Sequence, residues 1–317
     1  MPAAQRPLVI QTEHLDAAAA AWLSERCELV VCPWERGTEL QSLLPGAEGL
    51  LIRTYTRVDA ALLDKAPRLK VVARAGVGLD NVDVEECHRR GVEVVSTPGA
   101  NTRAVVELVT SYMIDSLRPR AFLQKALDGT TWNSTRKNLI AERQLSDLTL
   151  GIVGLGRVGS GVARVGAALD MRVLYTDLLD FIPERRFGAT PASLEHLLRE
   201  ADVLTLHPDG RPGNRGMIGA AQLALCKPDV VLINTSRGFV LDAAALAAFL
   251  RKHPAAQAIL DVHEPEPFGF GYPLLGLTNA HLSPHIAAAT RTAHANMSWV
   301  VKDLWRVLCG EKPENAA

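Results

Sequence analysis

GIVGLGRVG, residues 151–159, decides how this chain folds. Gly154, Gly156 and Gly159 have the GxGxxG spacing; the apolar run LTLGIV leads into them and a helical pattern follows. In such a strand-to-helix turn the first glycine permits the tight bend and the second lets a pyrophosphate approach the backbone. The third lets the helix sit close to the strand. The first-turn amides of Arg157, Val158 and Gly159 would then face the phosphate. A glycine pattern alone is weak, but the next apolar run, RVLYTD, ends in Asp177, eighteen residues after Gly159. A carboxylate there accepts hydrogen bonds from the ribose hydroxyls of NAD and repels the extra phosphate of NADP. Arg185 and Arg186 lie further on, so Asp177 holds the decisive position and NAD is the expected cofactor.

Outward from this turn, DVLTLH, DVVLINTS and QAILDV continue the series. They are rich in Val, Ile and Leu with little alternation, as strands covered on both faces are. The first hundred residues repeat the theme. PLVI, CELVV, GLLI, LKVVAR and VEVVS are candidate strands, with helical patterns at 59–65 and 84–90. Strands alternating with helices predict parallel sheets. STPGAN, 96–101, breaks the first series, and a long helical pattern over 102–118 follows, with Pro119 expected to end it. A last helical stretch, 290–308, lies too far from the second series to extend it and is expected to return to the first. The predicted fold is α/β, with two Rossmann-like domains. One comprises residues 1–101 and 286–317 and is discontinuous; the other, 102–285, carries the cofactor.

The formal net charge is −1 over 317 residues. With no basic excess, there is no footprint for nucleic acid or an anionic membrane surface. Five scattered cysteines, odd in number and without a CxxC pair, read as reduced thiols rather than a disulfide frame or zinc knuckle. The N-terminus lacks a signal peptide's apolar core, and no run reaches the ~18 apolar residues of a membrane span. The expected compartment is the cytoplasm. His281 and His285 have the i, i+4 spacing of a metal pair, but Pro284 argues against a helix there, so no metal site is expected.

Three segments end candidate strands in polar residues, where open α/β sheets bind ligands. They hold Arg237, then Asp261, Glu264 and Glu266, then His281 and His285. Arginine, carboxylate and histidine suit hydride exchange between NADH and a 2-keto acid. Arginine is a planar, permanently charged double donor for the substrate's carboxylate and carbonyl. Histidine titrates near neutrality and can protonate the new alkoxide. A neighbouring carboxylate favours the imidazolium form.

The segments ARAGVGLDNVD, STPGANT, GIVGLGRVG, LINTSRG, LDVHEPEP and LSPHIAAAT, in this order, resemble the D-isomer-specific 2-hydroxyacid dehydrogenase family over nearly the whole chain. The resemblance implies a flavodoxin-like substrate domain beside an NAD domain, with the active site in the cleft between them and dimers built through the NAD domain. It implies that Arg237 binds substrate and that Glu266 pairs with His285, the acid/base. It places Asp261 near the nicotinamide carboxamide and His207 and Thr235 along the cofactor. Gly76, Val77 and Gly78 would offer amides to the substrate carboxylate. Arg53 and Arg74 match the phosphoglycerate dehydrogenase branch, where extra positive charge suits a phosphorylated tail, or they are structural. The chain is not expected to hold an appended regulatory domain.

The expected activity is therefore an NAD-dependent D-2-hydroxyacid dehydrogenase, with 3-phosphoglycerate the leading substrate candidate. A glyoxylate or hydroxypyruvate reductase and an NAD-binding corepressor of the same fold are the rival readings. The chain departs from the family pattern at three places. Asp209 and Asn214 occupy the HPDGRPGNRG loop over the adenosine side, Phe239 follows SRG, and FGFGY, 268–272, either narrows the substrate pocket or forms a surface turn. His263 lines the cleft or fills space. Glu264 reads as a turn residue, and Trp299 and Trp305 as packing residues.

Overall fold

A computed structural model of the chain describes residues 6–118 and 120–317; Pro119 and the first five residues lie outside the described residues. The chain divides into two compact units, Met1–Asn101 with Ala288–Ala317, and Thr102–Ala287.

The first unit carries five parallel strands among its described residues: β1 (Leu8–Gln11), β2 (Glu28–Val31), β3 (Gly49–Ile52), β4 (Val71–Arg74) and β5 (Glu93–Val95). Their order, β2-β1-β3-β4-β5, is that of flavodoxin-like sheets. All four residues of the central β3 are buried. Aspartates start three of the covering helices: Asp16, Asp59 and Asp83 each accept a first-turn amide of the helix that follows. The helix Val301–Leu308 packs on β4, with Val300, Val301 and Leu304 in one apolar cluster with Val9, Leu51 and Val71. Trp299 and Trp305 border that cluster, and Trp299 meets Trp22 edge to face.

The predicted single helix over 290–308 is in fact two, Arg291–Ser298 and Val301–Leu308. Buried Ser298 sits at the break. Its hydroxyl donates to the His294 carbonyl and accepts the Asp16 amide, and hydroxyls bonded back to the preceding turn bend helices.

In the second unit seven parallel strands follow among the described residues: β6 (Thr149–Val153), β7 (Arg172–Thr176), β8 (Thr190–Pro191), β9 (Val203–Leu206), β10 (Val231–Asn234), β11 (Gln257–Leu260) and β12 (Ala280–Leu282). Their order is β12-β11-β10-β9-β6-β7-β8, so the strand order reverses between β6 and β9, where doubly wound sheets bind dinucleotides. Apolar clusters cover both faces. Every residue of β6, β9 and β10 is buried, which accounts for their near-continuous Val, Ile and Leu content without alternation. The helix Thr102–Leu117 buries Ala104, Val105, Val109 and Met113 along one stripe.

Candidate active site

The glycine turn leaves β6 at Val153. Gly154 adopts φ +92°, a left-handed conformation that a side chain disfavours. A Cβ on Gly159 would lie 2.0 Å from the Gly154 carbonyl oxygen, so only glycine lets the helix Arg157–Ala168 approach the turn this closely. Gly156 and Arg157 are exposed and Val158 is half-buried, leaving the helix N-terminus open to a ligand. First-turn amides have no intrahelical acceptor and suit an anion.

Asp177 stands beside the turn. Its Oδ2 accepts the Leu155 amide at 2.6 Å and its Oδ1 the Leu179 amide at 2.9 Å. Each oxygen keeps a lone pair for a ribose hydroxyl. His207 pairs through Nε2 with the Thr205 hydroxyl at 2.8 Å, and burial pushes it down to about 3, so it is a neutral ring near neutral pH. The buried Thr235 hydroxyl has no hydrogen-bond partner among the described residues, and buried hydroxyls are rarely left so. Open amides, a ribose acceptor and an unsatisfied buried hydroxyl on the same sheet fit NAD.

The loops after β10, β11 and β12 form a second cluster. Arg237 is extended, its Nη1 donating to the Ser236 carbonyl at 2.8 Å. Asn234 accepts from the Ser236 amide and hydroxyl and donates to the Arg237 carbonyl, which fixes the turn. The Gly238 backbone lies against that of His263, and a Cβ at 238 would be 2.0 Å from the His263 carbonyl oxygen. This approach brings the arginine loop beside the glutamate loop. Glu266 Oε2 meets His285 Nδ1 at 2.7 Å, and Glu266 Oε1 accepts the His263 amide at 2.7 Å. Burial disfavours the charge on Glu266, yet these two bonds hold its carboxyl below the usual range. The Glu266 hydrogen bond raises His285 above its ordinary value against the effect of burial; Asp261 adds to the rise and Arg237 opposes it.

Asp261 is fully buried and accepts the amides of Ile286 and Ala287 and the Ser283 hydroxyl. Sequence reasoning missed this bracing of the histidine loop, along with Ser283 and its neighbour Tyr112 (2.8 Å between hydroxyl oxygens). The only available signal was a phenol beside the apolar stripe of a helix.

His263 is buried, edge-on to Phe268 and Tyr272, which stack on each other at 4.6 Å. In FGFGY two aromatics thus enclose His263, while Phe270 stands fully exposed at the turn. The unusual loop after β9 braces itself: Asp209 pairs with Arg211, and Asn214 Nδ2 donates to both the carbonyl and carboxylate of Asp209 at 2.9 Å. Arg215 lies over the Phe239 ring and pairs with Glu264 at 3.7 Å, so two departures from the family pattern and the turn glutamate meet. Among the described residues no group of three His, Cys, Asp or Glu could hold a metal ion.

Within the first unit, Glu13 organises the loop after β3. Its carboxylate accepts the amides of Arg53, Thr54, Tyr55 and Thr56 and the Thr56 hydroxyl. Arg53 is half-buried there. Arg74 Nε donates to the Arg53 carbonyl at 2.9 Å, and its guanidinium lies against Gly76. Arg74 thus supports the Gly76–Gly78 turn, in which Val77 and Gly78 are half-buried.

Residues 110–287 match the family model described as D-isomer specific 2-hydroxyacid dehydrogenase, NAD binding domain. Over 98% of its length and 96% of the relative's, the chain is 34% identical to glyoxylate reductase from Aeropyrum pernix. The chain belongs to the D-isomer specific 2-hydroxyacid dehydrogenase family. As a 2-hydroxyacid dehydrogenase it is an NAD-dependent oxidoreductase acting on CH–OH groups. It is also 35% identical over 84% of its length to D-3-phosphoglycerate dehydrogenase from Archaeoglobus fulgidus, of which it spans 50%. The crystal structure of D-lactate dehydrogenase from Aquifex aeolicus, complexed with NAD and lactic acid, superposes with a TM-score of 0.81 at 26% identity, covering 96% of each chain.

Proposed function

We propose that this 2-hydroxyacid dehydrogenase reduces a small anionic 2-keto acid to the D-2-hydroxy acid. The reading rests above all on the 2.7 Å contact between Glu266 and His285. Glu266 holds Nδ1, which leaves Nε2 as the ring nitrogen that exchanges a proton with substrate. Arg237 binds the substrate carboxylate and carbonyl through its two parallel N–H donors and polarises the carbonyl. Bound NADH supplies the hydride. His285, charged by its pairing with Glu266, then delivers the proton to the carbonyl oxygen. In the oxidative direction neutral His285 takes the same proton back. Gly156, Arg157, Val158 and Gly159 would hold the pyrophosphate and Asp177 the adenosine ribose. His207, Thr235 and Asp261 complete the cofactor's seat.

Arg53, supported by Arg74, and the amides of Gly76, Val77 and Gly78 are proposed to receive the substrate's anionic groups. The relatives' names divide between glyoxylate and 3-phosphoglycerate. The two are separated by following NADH oxidation with glyoxylate, hydroxypyruvate, pyruvate and phosphohydroxypyruvate. If Arg53 reads a distal phosphate, Arg53→Ala raises KM for phosphohydroxypyruvate by about 10- to 100-fold, the worth of one charge-assisted hydrogen bond, and leaves that for glyoxylate alone. An unchanged KM for every acid removes Arg53 from the substrate site. Silence across the panel with NADH binding intact would favour the corepressor reading.

A homodimer is proposed, formed through the NAD-binding unit. No residue of the helix Gly129–Asn138 is buried, and around it Phe122, Leu123, Trp132, Leu139 and Ile140 are exposed. Apolar side chains grouped in this way mark an association surface. Light scattering is expected to give twice the chain mass, and Trp132→Glu with Ile140→Glu to give the monomer. A monomeric parent would overturn the assignment. Among the described residues no helix is long and apolar enough to cross a membrane. The free thiols of Cys27, Cys32 and Cys87, all buried, accord with a cytoplasmic setting.

A further inference from the structure

His285 stands at φ +54°, in the left-handed region that a histidine occupies only when its surroundings hold it there. The loop is fastened on both sides of it. After it, Asp261 takes the Ile286 amide on Oδ1 at 2.8 Å and the Ala287 amide on Oδ2 at 2.7 Å. Before it, the Ser283 hydroxyl reaches Asp261 Oδ1 at 2.6 Å and lies 2.8 Å from the Tyr112 hydroxyl. The directions follow from the donors. A carboxylate oxygen accepts, so Ser283 gives its proton to Asp261 and Tyr112 gives its own to Ser283. Burial, aided by the charge of Asp261, raises the Tyr112 phenol above its ordinary value and keeps it a donor.

Ser283 also joins the support of the ring. Its carbonyl accepts His263 Nε2–H at 2.9 Å, and the His263 amide holds the Glu266 oxygen opposite the one that meets His285. One residue therefore connects the backbone fastening with the ring fastening.

We propose that Tyr112 and Ser283 are positioning residues for His285: the chain Tyr112–Ser283–Asp261 holds loop 283–287 in the conformation that seats the imidazole on Glu266. The proposal rests on the assignment of His285 as acid/base. Tyr112 comes from the helix Thr102–Leu117, 171 residues away in sequence, so this helix reaches the reaction through one hydroxyl. The charged groups that act most strongly on His285 are Glu266, Asp261 and Arg237, all in the same unit as Tyr112.

Tyr112→Phe tests this, because it keeps the ring and removes only the hydroxyl. Turnover of the keto acid is expected to fall about fivefold to tenfold, the worth of one hydrogen bond in a coupled network, with KM and NADH affinity unchanged. In protein without substrate, the His285 ring titration followed by NMR moves to lower pH, because its bond to Glu266 is made for less of the time. Ser283→Ala has a larger effect of the same kind, and Ser283→Thr, which keeps the hydroxyl, restores both readouts. A wild-type rate and titration in Tyr112→Phe would overturn the proposal. So would a loss shared equally by KM and NADH affinity with the titration unmoved, the signature of general loosening. If the parent reduced no keto acid, or His285→Ala kept the rate, the functional reading would fail instead, and the NMR comparison would still decide the positioning claim.

Discussion

His285→Ala is expected to lower kcat for keto-acid reduction by roughly 10²- to 10⁴-fold, the range a positioned general acid contributes. NADH affinity should not change, since the glycine turn and Asp177 do not depend on the ring. A loss carried by NADH binding instead would place the histidine in the cofactor seat and remove it from proton transfer. The pH profile gives the same assignment a sign. His285 is raised above its ordinary value, first by the Glu266 hydrogen bond. Reduction needs the imidazolium, so kcat/KM is high below that raised pKa and falls as pH rises through it. Oxidation of the hydroxy acid needs the neutral ring and rises over the same window. Glu266→Gln removes the main cause of the rise, so the falling limb for reduction must move to lower pH. A limb that stays in place would mean that another group sets it.

Much of this arrangement was legible in the sequence, for a physical reason. β6, β9 and β10 are covered on both faces, so each writes itself as a largely apolar run with little alternation. β8, two exposed residues, leaves no such run and was not read, and β12, with exposed His281 between two half-buried residues, showed only through the polar segment that ends it. The glycine turn announces itself because φ +92° at Gly154 and the close approach at Gly159 admit almost no other residue. Arg237, Glu266 and His285 stood out as polar ends to apolar strands. The residues that fasten them did not. Glu13 serves a loop forty residues further along the chain through backbone amides, which carry no side-chain signature. Tyr112 lies beside an ordinary apolar stripe, and only the folded sheet brings it to Ser283. The break at Ser298 likewise depends on the Asp16 amide, from the other end of the chain.

Arg237 carries the second large effect. Arg237→Ala removes the guanidinium and the two N–H donors assigned to substrate, and at ~1.5–3 kcal/mol for each charge-assisted bond kcat/KM should fall by about 10²- to 10⁴-fold. Arg237→Lys keeps the charge but not the planar fork and should recover only part of that loss. The pH limb then distinguishes binding from a general disturbance of the site. The Arg237 charge opposes protonation of His285. Without it the imidazolium persists to higher pH, so the falling limb for reduction in Arg237→Ala should move up, opposite to its movement in Glu266→Gln. Arg237→Lys, still charged, should leave the limb near its original place. Two substitutions at neighbouring groups that move one titration in opposite directions would require both charges to act on the same ring. If both moved it down, the loop beside His263 would have shifted, and the loss in Arg237→Ala could no longer be assigned to substrate binding.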